Sequence, residues 1–161
     1  MKKYKTIIII ANLVILLIYF NWSVADKEEI LGKGKLVLLE LAPVDPRSLM
    51  QGDYMMLRYK VAEDIPRDSV PKRGFFVVRL NNESIAEKVR VQEFEEPLHK
   101  DELLIKYSAN DYILKIGAES FFFQEGQSRK YEKAKYGSLM VDKLGKSVLV
   151  GLYDSNRVEI R

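Results

Sequence analysis

The feature that most constrains this chain is a long apolar segment near its N-terminus. From Ile7 to Ala25 the sequence carries no charged residue. A helix of about 20 residues, rising about 1.5 Å per residue, spans a hydrocarbon core of about 30 Å. Tyr19, Phe20 and Trp22 cluster at the far end of the segment, as in an interfacial aromatic belt. The segment therefore predicts a single transmembrane helix.

The distribution of charge predicts how this helix is oriented. The formal net charge is +3, and Lys2, Lys3 and Lys5 all precede the first acidic residue, Asp26. The other 23 basic residues are balanced by 23 acidic ones, so the basic excess belongs to a short tail. We therefore expect no nucleic-acid partner. The positive-inside rule places the N-terminus in the cytoplasm and the chain after Ala25 on the other side of the membrane.

Two other interpretations of the apolar segment stay open from the sequence. Ser23 and Ala25 put small residues at the two positions that a signal peptidase requires, so cleavage after Ala25 is one alternative to a retained anchor. A buried core helix is the other. Both a retained anchor and a cleaved signal peptide would place the following domain across the membrane.

The rest of the chain divides into a polar segment, 26–35, and a domain, 36–161. The polar segment is either a linker or a short helical extension, and in the domain apolar runs alternate with turn residues. This pattern predicts a mainly β fold with seven or eight strands: one antiparallel β-barrel or sandwich-like domain with a short helix. These strands are expected among nine candidate runs, and the predicted helix is Gln127–Lys135. The runs are Leu36–Ala42, Asp53–Val61, Phe75–Leu80, Ser84–Val91, Leu103–Tyr107, Tyr112–Ile116, Ala118–Gln124, Leu139–Val141 and Ser147–Tyr153.

Several kinds of site are excluded by composition. The chain has no Cys and a single His, His99, which leaves no thiolate or multi-His metal site. It also lacks a glycine-rich phosphate loop of either common type. We expect no metal and no cofactor. Two basic stretches, Lys72–Arg73 and Arg129–Lys135, are either solvated surface or contacts to anionic lipid headgroups.

One segment, residues 42–59, combines turn residues with a strand. Asp45, Pro46 and Arg47 predict a turn in which the proline ring restricts φ. Gly52 can adopt a positive φ, and Asp53 can accept hydrogen bonds from nearby amides. Each of these residues has a structural use, and a binding or conformational role is the alternative.

The strand that follows carries two tyrosines with different expected directions. Tyr54 and Tyr59 have opposite parity, so they should point to opposite faces of a regular strand.

The segment GDYMMLRY, Gly52–Tyr59, resembles the motif GDYXXLXY, which names a family of bacterial membrane-associated proteins. The agreement is complete at Gly52, Asp53, Tyr54, Leu57 and Tyr59. Glu125, Gly126 and Tyr131 also look like the family.

The resemblance implies a membrane protein without an assigned activity. The family has an N-terminal anchor, an extracytoplasmic domain and frequent genetic association with multi-pass membrane proteins. We therefore expect a single-pass protein of the bacterial inner membrane with a cytoplasmic N-terminus and a periplasmic domain. Its expected function is that of a non-enzymatic accessory or interaction module, acting with a multi-pass integral membrane partner through the motif residues.

A weaker resemblance is to signal peptidases of the Ser–Lys type. The chain has Gly52–Asp53, then Arg73–Val78, then a strand with Lys88 where that family carries its base. Val44 stands where the family keeps its serine, and Ser48 is closer to Gly52. A dyad of Ser48 and Lys88 in a divergent or degenerate protease is thus the first alternative function.

A ligand-binding β-barrel is the second alternative. In that interpretation the aromatic run Phe121–Phe123 and Tyr54 line an internal cavity. Aromatic runs are also common in ordinary hydrophobic cores.

Overall fold

A computed structural model describes residues 2–42, 54–63, 65–66, 70–110 and 114–161. Those residues form one long helix, one short helix and nine strands, with a single 3-10 turn at Lys60–Ala62. The elements in chain order are α1 (Lys2–Lys33), β1 (Lys35–Glu40), β2 (Tyr54–Met56), β3 (Arg73–Leu80), β4 (Ala86–Gln92), β5 (Glu102–Ala109), β6 (Leu114–Lys115), β7 (Ser120–Phe122), α2 (Ser128–Tyr131), β8 (Tyr136–Val141) and β9 (Ser147–Tyr153).

Helix α1 contains the predicted membrane span and continues beyond it. Its most apolar window has a mean hydropathy of 2.3, and none of that window is buried inside the protein. The buried-core-helix interpretation is therefore wrong, and the helix is long and apolar enough to cross a membrane. The polar segment 26–35 is helical as far as Lys33, so it extends the span rather than forming an irregular linker.

The end of α1 packs against the β domain. Ile30 is 4% exposed, and the helix contacts β8 and β9. The carboxylate of Asp26 accepts a hydrogen bond from Lys146 Nζ at 2.5 Å, which joins the helix to the β8–β9 turn. Gly34 directly follows the helix. A Cβ atom at this position would overlap the carbonyl oxygen of Ile30 and lie 3.2 Å from the backbone N and O of Val141. Close backbone contact at this junction thus explains the glycine.

The strands form three antiparallel sheets. Their orders are β1-β8-β9, β4-β3-β5-β6 and β2-β7. The mainly β, antiparallel fold class is confirmed. The sheets that the described residues form do not close into a barrel, so the barrel version of the prediction is wrong. The sheets meet instead through isolated contacts, such as the hydrogen bond from Leu38 N to Ser84 O at 2.9 Å.

A single large core lies between these sheets. Strand β3 is buried on both faces, because Phe75, Val77 and Leu104 form a second, smaller cluster on the face opposite this core. Phe76 and Ile105 are opposite each other on β3 and β5, and both are fully buried. The core includes Val37, Leu39, Leu41, Leu139, Val141, Leu152, Phe76, Val78, Ile105 and Tyr107.

Two β-hairpins, β3–β4 and β8–β9, each have an Asx-type turn. Between β3 and β4, Asn81 Oδ1 accepts hydrogen bonds from the N–H groups of Glu83 and Ile85, at 2.9 and 3.0 Å. Between β8 and β9, Asp142 Oδ1 accepts them from Leu144 and Lys146, at 2.9 and 2.8 Å. Short polar side chains that bond nearby amides are the physical reason for these turns.

Two predicted elements end early for a tertiary reason. Within the described residues, the expected strand Asp53–Val61 is a strand from Tyr54 to Met56. Leu57 N still donates to Glu119 O beside β7, and the chain then turns toward the end of β1, where Arg58 O accepts from Ala42 N. The expected helix Gln127–Lys135 is a single turn, Ser128–Tyr131, because Lys135 N already bonds Tyr153 O at 2.7 Å. Tertiary pairing overrides local propensity in both cases.

The four-stranded sheet contains a buried ion pair. The Glu102 side chain is 2% exposed, and its oxygens accept from Arg90 Nη1 at 2.7 Å and Nη2 at 2.8 Å. The Glu102 carboxylate also accepts from the backbone N–H of His99 at 3.1 Å. Arg90 Nη2 donates in addition to Pro97 O at 2.6 Å, so the pair ties the 93–101 loop to the sheet.

We expect the substitution Glu102→Gln to lower the thermal unfolding midpoint at neutral pH. Arg90 above all, and then the His99 N–H, hold the pKa of Glu102 at about 2, below its ordinary 4.5. A depressed pKa stabilises the folded state fully above about pH 4.5, and that stability is lost as the pH falls toward 2. The midpoint difference between parent and variant should therefore be constant down to about pH 5 and shrink below it.

Circular dichroism of the full chain in a non-ionic detergent measures these midpoints. Glu87→Gln, at an exposed position of β4, is the matched control and should leave the midpoint nearly unchanged. A parent-to-variant difference for Glu102→Gln that stays constant down to pH 2 would contradict the assignment.

Candidate functional site

The described part of the motif alternates between the inside and the outside of the protein. Met55, Leu57 and Tyr59 are 6%, 2% and 3% exposed, whereas Tyr54 and Met56 are 39% and 42% exposed. The prediction that Tyr54 and Tyr59 face opposite ways is therefore confirmed. The motif combines a buried structural side with a side that is open to solvent.

Tyr59 is the centre of the buried side. Its hydroxyl donates to Ala118 O at 2.5 Å, and Tyr59 pairs with Leu41 beyond the end of β1. Its ring lies over Gly137 of β8, where a Cβ would come within 2.9 Å of Tyr59 Cε1. Burial raises the pKa of Tyr59 far above its ordinary value, and the charge of Glu119 raises it further. The phenol is thus a neutral structural donor.

Glu119 organises the turn that presents the Ala118 carbonyl. Its Oε1 accepts from the N–H groups of Ile116 at 2.5 Å and Gly117 at 3.2 Å, and its Oε2 accepts from Gly117 at 3.1 Å. Gly117 has a φ of +85°, which favours glycine. The backbone O of Glu119 accepts from Leu57 N at 2.6 Å, so the same turn also holds the motif strand.

The structure does not describe the first half of the predicted site. Asp45, Pro46, Arg47, Ser48, Gly52 and Asp53 lie outside the described residues. The chain before and after them is held together, since Ala42 N donates to Arg58 O at 2.8 Å.

The exposed side of the motif belongs to an aromatic patch, which we define as Tyr54, Met56 and Phe122. The rings of Tyr54 and Phe122 have centroids 5.7 Å apart on the outer face of the β2-β7 pair. Phe122 is 73% exposed. Ser120 Oγ contacts Met56 Sδ at 3.6 Å beside them. These side chains form a small, partly exposed apolar cluster on the surface beside the motif strand.

The other family-like residues separate between core and surface. Tyr131 is 8% exposed and lies between the rings of Phe121 and Phe123, with centroid distances of 4.9 and 5.4 Å. Glu125 is exposed beside Gly126, whose φ is +81°. Tyr131 therefore anchors α2 to β7, whereas Glu125 and Gly126 form an exposed turn.

The aromatic run does not line a common cavity with Tyr54. Phe121 and Phe123 pack toward the core, whereas Phe122 and Tyr54 contact each other on the outside. The predicted cavity lining for a ligand-binding barrel is therefore wrong at these residues. Strand alternation is the physical reason, because neighbouring side chains point to opposite faces.

The candidate base of a Ser–Lys dyad has an ordinary surface environment. Lys88 is exposed on β4, and its Nζ donates to Glu63 O at 3.3 Å. A dyad requires a desolvated, neutral amine next to the hydroxyl. The environment of Lys88 does not supply this, and the position of Ser48 is not described.

The described residues also include no group of three or more His, Cys, Asp or Glu side chains that could hold a metal ion. His99 is exposed, and its backbone N–H donates to Glu102.

Sequence reasoning missed Gly137 and assigned Phe122 to a cavity instead of the surface. Gly137 makes room for the Tyr59 ring, and the ring of Phe122 contacts that of Tyr54 outside the core. The direction of Phe122 was predictable, because alternation along Phe121–Phe123 places the middle ring on the opposite face. Gly137 was not, because its partner is 78 positions away in the sequence.

The comparisons with known proteins agree with the motif. A family model described as "GDYXXLXY protein" matches residues 16–152, from the middle of α1 to β9. No curated protein matches the chain, and no solved structure matches it.

We expect Tyr59→Phe to lower the free energy of unfolding by about 1 kcal/mol, because Ala118 O loses its buried donor. Gly137→Ala should cost about 1–3 kcal/mol, because the new methyl group overlaps the Tyr59 ring. Urea unfolding of the full chain in detergent, followed by circular dichroism, measures both effects.

Tyr54→Phe serves as the matched control from the same motif. It also removes only a hydroxyl, from a side chain that is 39% exposed, so its cost should stay within about 0.5 kcal/mol. A larger cost for Tyr54→Phe than for Tyr59→Phe would contradict the division into a buried and an exposed side.

Proposed function

The chain belongs to the GDYXXLXY family, and on that basis we propose that it is a membrane-anchored accessory protein of the bacterial inner membrane. In this proposal α1 crosses the membrane once, the β domain lies in the periplasm, and the domain binds a multi-pass integral membrane protein. The proposed activity is interaction rather than catalysis. The observation that carries it is the aromatic patch, in which Tyr54 of the family motif lies beside the exposed Phe122 of β7.

The aromatic patch supports a protein partner for a thermodynamic reason. Phe122, at 73% exposed, presents an apolar ring to water beside Tyr54. Covering an aromatic side chain contributes roughly 1.5–3 kcal/mol, and such residues are enriched at the centres of interfaces. The buried side of the same motif holds the patch in place, because Met55 and Leu57 are part of the core.

The exposed span supports a partner within the membrane as well. The side chains of α1 from Ile7 to Phe20 make no buried contact with the β domain. In a bilayer they face lipid or another helix. A multi-pass partner would cover both this helix and the aromatic patch, and the family resemblance points to the same class of partner.

We expect the retained anchor to be detectable by its mass and by its topology. Alkaline phosphatase fused after Arg161 should be active in intact cells, because the lysines before Thr6 keep the N-terminus in the cytoplasm. The intact mass of the membrane-extracted protein should include residues 1–25. A mature protein that begins at Asp26 would show cleavage after Ala25 and would overturn the anchor.

We expect a photo-crosslinking phenylalanine analogue at position 122 to capture a discrete integral membrane protein in the native host. The analogue preserves the aromatic ring, so the patch keeps its shape. The same analogue at Glu87, exposed on β4, is the matched control and should give no specific adduct. Identical adducts from both positions, or none from position 122, would count against the proposed interface.

A further inference from the structure

A concave basic site lies where the four-stranded sheet meets the β8–β9 turn. Its volume is about 410 Å³, and its lining includes the side chains of Arg73, Lys106, Lys115 and Lys146. We call these four residues the basic site. The residues come from four separate parts of the sequence, so the site exists only in the folded chain.

Strand register explains why the cations converge. Ser108 of β5 is opposite Arg73 of β3 on one side and Lys115 of β6 on the other. Residues opposite each other in neighbouring strands share a face, so Arg73, Ser108 and Lys115 form a row across the sheet. Lys106 is two residues along β5 and shares that face. Its backbone N–H donates to Gly145 O at 2.8 Å, which brings the β8–β9 turn to the sheet.

The positive charge of the basic site is largely uncompensated within the described ranges. Lys146 pairs with Asp26, but no described carboxylate lies within 4 Å of Arg73, Lys106 or Lys115. Lys106 Nζ lies 5.9 Å from the centre of the Phe75 ring, which holds the amine without neutralising it. Several cations gathered around one concave surface attract an anion. A phosphate matches them well, since guanidinium and ammonium groups are its usual protein ligands.

The basic site is close to the predicted membrane surface. Asp26, the partner of Lys146, is four residues beyond Trp22, which corresponds to about 6 Å along the helix. The polar headgroup layer is about 5–7 Å thick on each side of the hydrocarbon core. Lys146 Nζ is therefore at headgroup depth when Trp22 is in the interfacial belt. Leu144 in the same turn is 52% exposed, so its side chain would be free to contact the apolar part of the bilayer.

We propose that the basic site binds the phosphate of an anionic lipid headgroup in the leaflet that faces the β domain. The proposal rests on the proposed function in one respect, namely that α1 spans the membrane. A bound headgroup would hold the domain at one height and rotation relative to the bilayer. The aromatic patch would then meet a membrane partner in a defined orientation.

The second basic stretch predicted from the sequence is at the opposite end of the domain. Lys135 Nζ pairs with Glu40 at 2.9 Å, and Glu40 ends β1, about 17 Å from the strand's start next to α1. Lys133 is exposed near this end. Lys100 is exposed next to Asp101, which pairs with Arg79 at the far end of β3. These two lysines supply a charge-matched control.

Native mass spectrometry of the full chain in a non-ionic detergent, titrated with phosphatidylglycerol, tests the proposal. The parent should bind phosphatidylglycerol in preference to phosphatidylcholine. Arg73→Gln with Lys115→Gln should weaken phosphatidylglycerol binding at least about tenfold, because two charge-assisted contacts are lost. Lys100→Gln with Lys133→Gln removes the same charge and should change the affinity less than about twofold. Equal weakening by both double variants would overturn the site.

Three further measurements keep the outcomes separate. Circular dichroism establishes whether the Arg73→Gln, Lys115→Gln double variant is folded. If it is not, the single variant Lys115→Gln is used instead, and we expect it to show a smaller loss of phosphatidylglycerol affinity. Inorganic phosphate at millimolar concentration should not displace the lipid, and full displacement would overturn the lipid assignment in favour of a free-anion site. Alkaline extraction of membranes reports on the anchor independently, since failure of the proposed membrane span releases parent and variants alike.

Discussion

One unbroken helix connects the apolar span to the β domain, and the position of the domain depends on it. The last turns of α1 are amphipathic in a way that the span is not, because Ile30 is buried against the sheet while Asp26 pairs with Lys146. Burial of an isoleucine side chain contributes roughly 1.5–3 kcal/mol, and close backbone contact at Gly34 leaves little freedom after it. A continuous helix of this kind couples the position and rotation of the β domain to the apolar span, which a flexible linker would not do.

The described part of the family motif has one buried side and one partly exposed side. Tyr59 joins the 116–119 turn to β8 through its hydroxyl and its ring, and this contact stabilises the strand on which Tyr54 is exposed. The alternation of a short strand allows one segment to contribute Tyr59 to the core and to leave Tyr54 partly exposed, where the proposed partner would bind.

Much of the fold follows from local patterns, and the exceptions have physical causes. The apolar span, the β3–β4 and β8–β9 hairpins and most strands were predictable, because hydrophobic periodicity and turn residues act over short distances. The end of β2 at Met56 and the single turn of α2 were not, because the backbones of Arg58 and Lys135 bond to residues in other segments of the chain. The prediction that Phe122 lines a cavity was wrong for a local reason, since strand alternation turns that ring outward. The continuation of α1 to Lys33 was one of two open alternatives, and burial of Ile30 selected it.

The sequence by itself determined the apolar span, the charge asymmetry across it, the mainly β class and the motif of the family. These depend on composition and on spacing within a few residues. Only the tertiary structure decided that Tyr59 lies on Gly137, that Phe122 joins Tyr54 outside, and that Arg73, Lys106, Lys115 and Lys146 gather at one concave surface. The domain is electrically balanced as a whole, yet strand register places like charges side by side. Register is set by pairing between distant segments, and for that physical reason it cannot be read from any one of them.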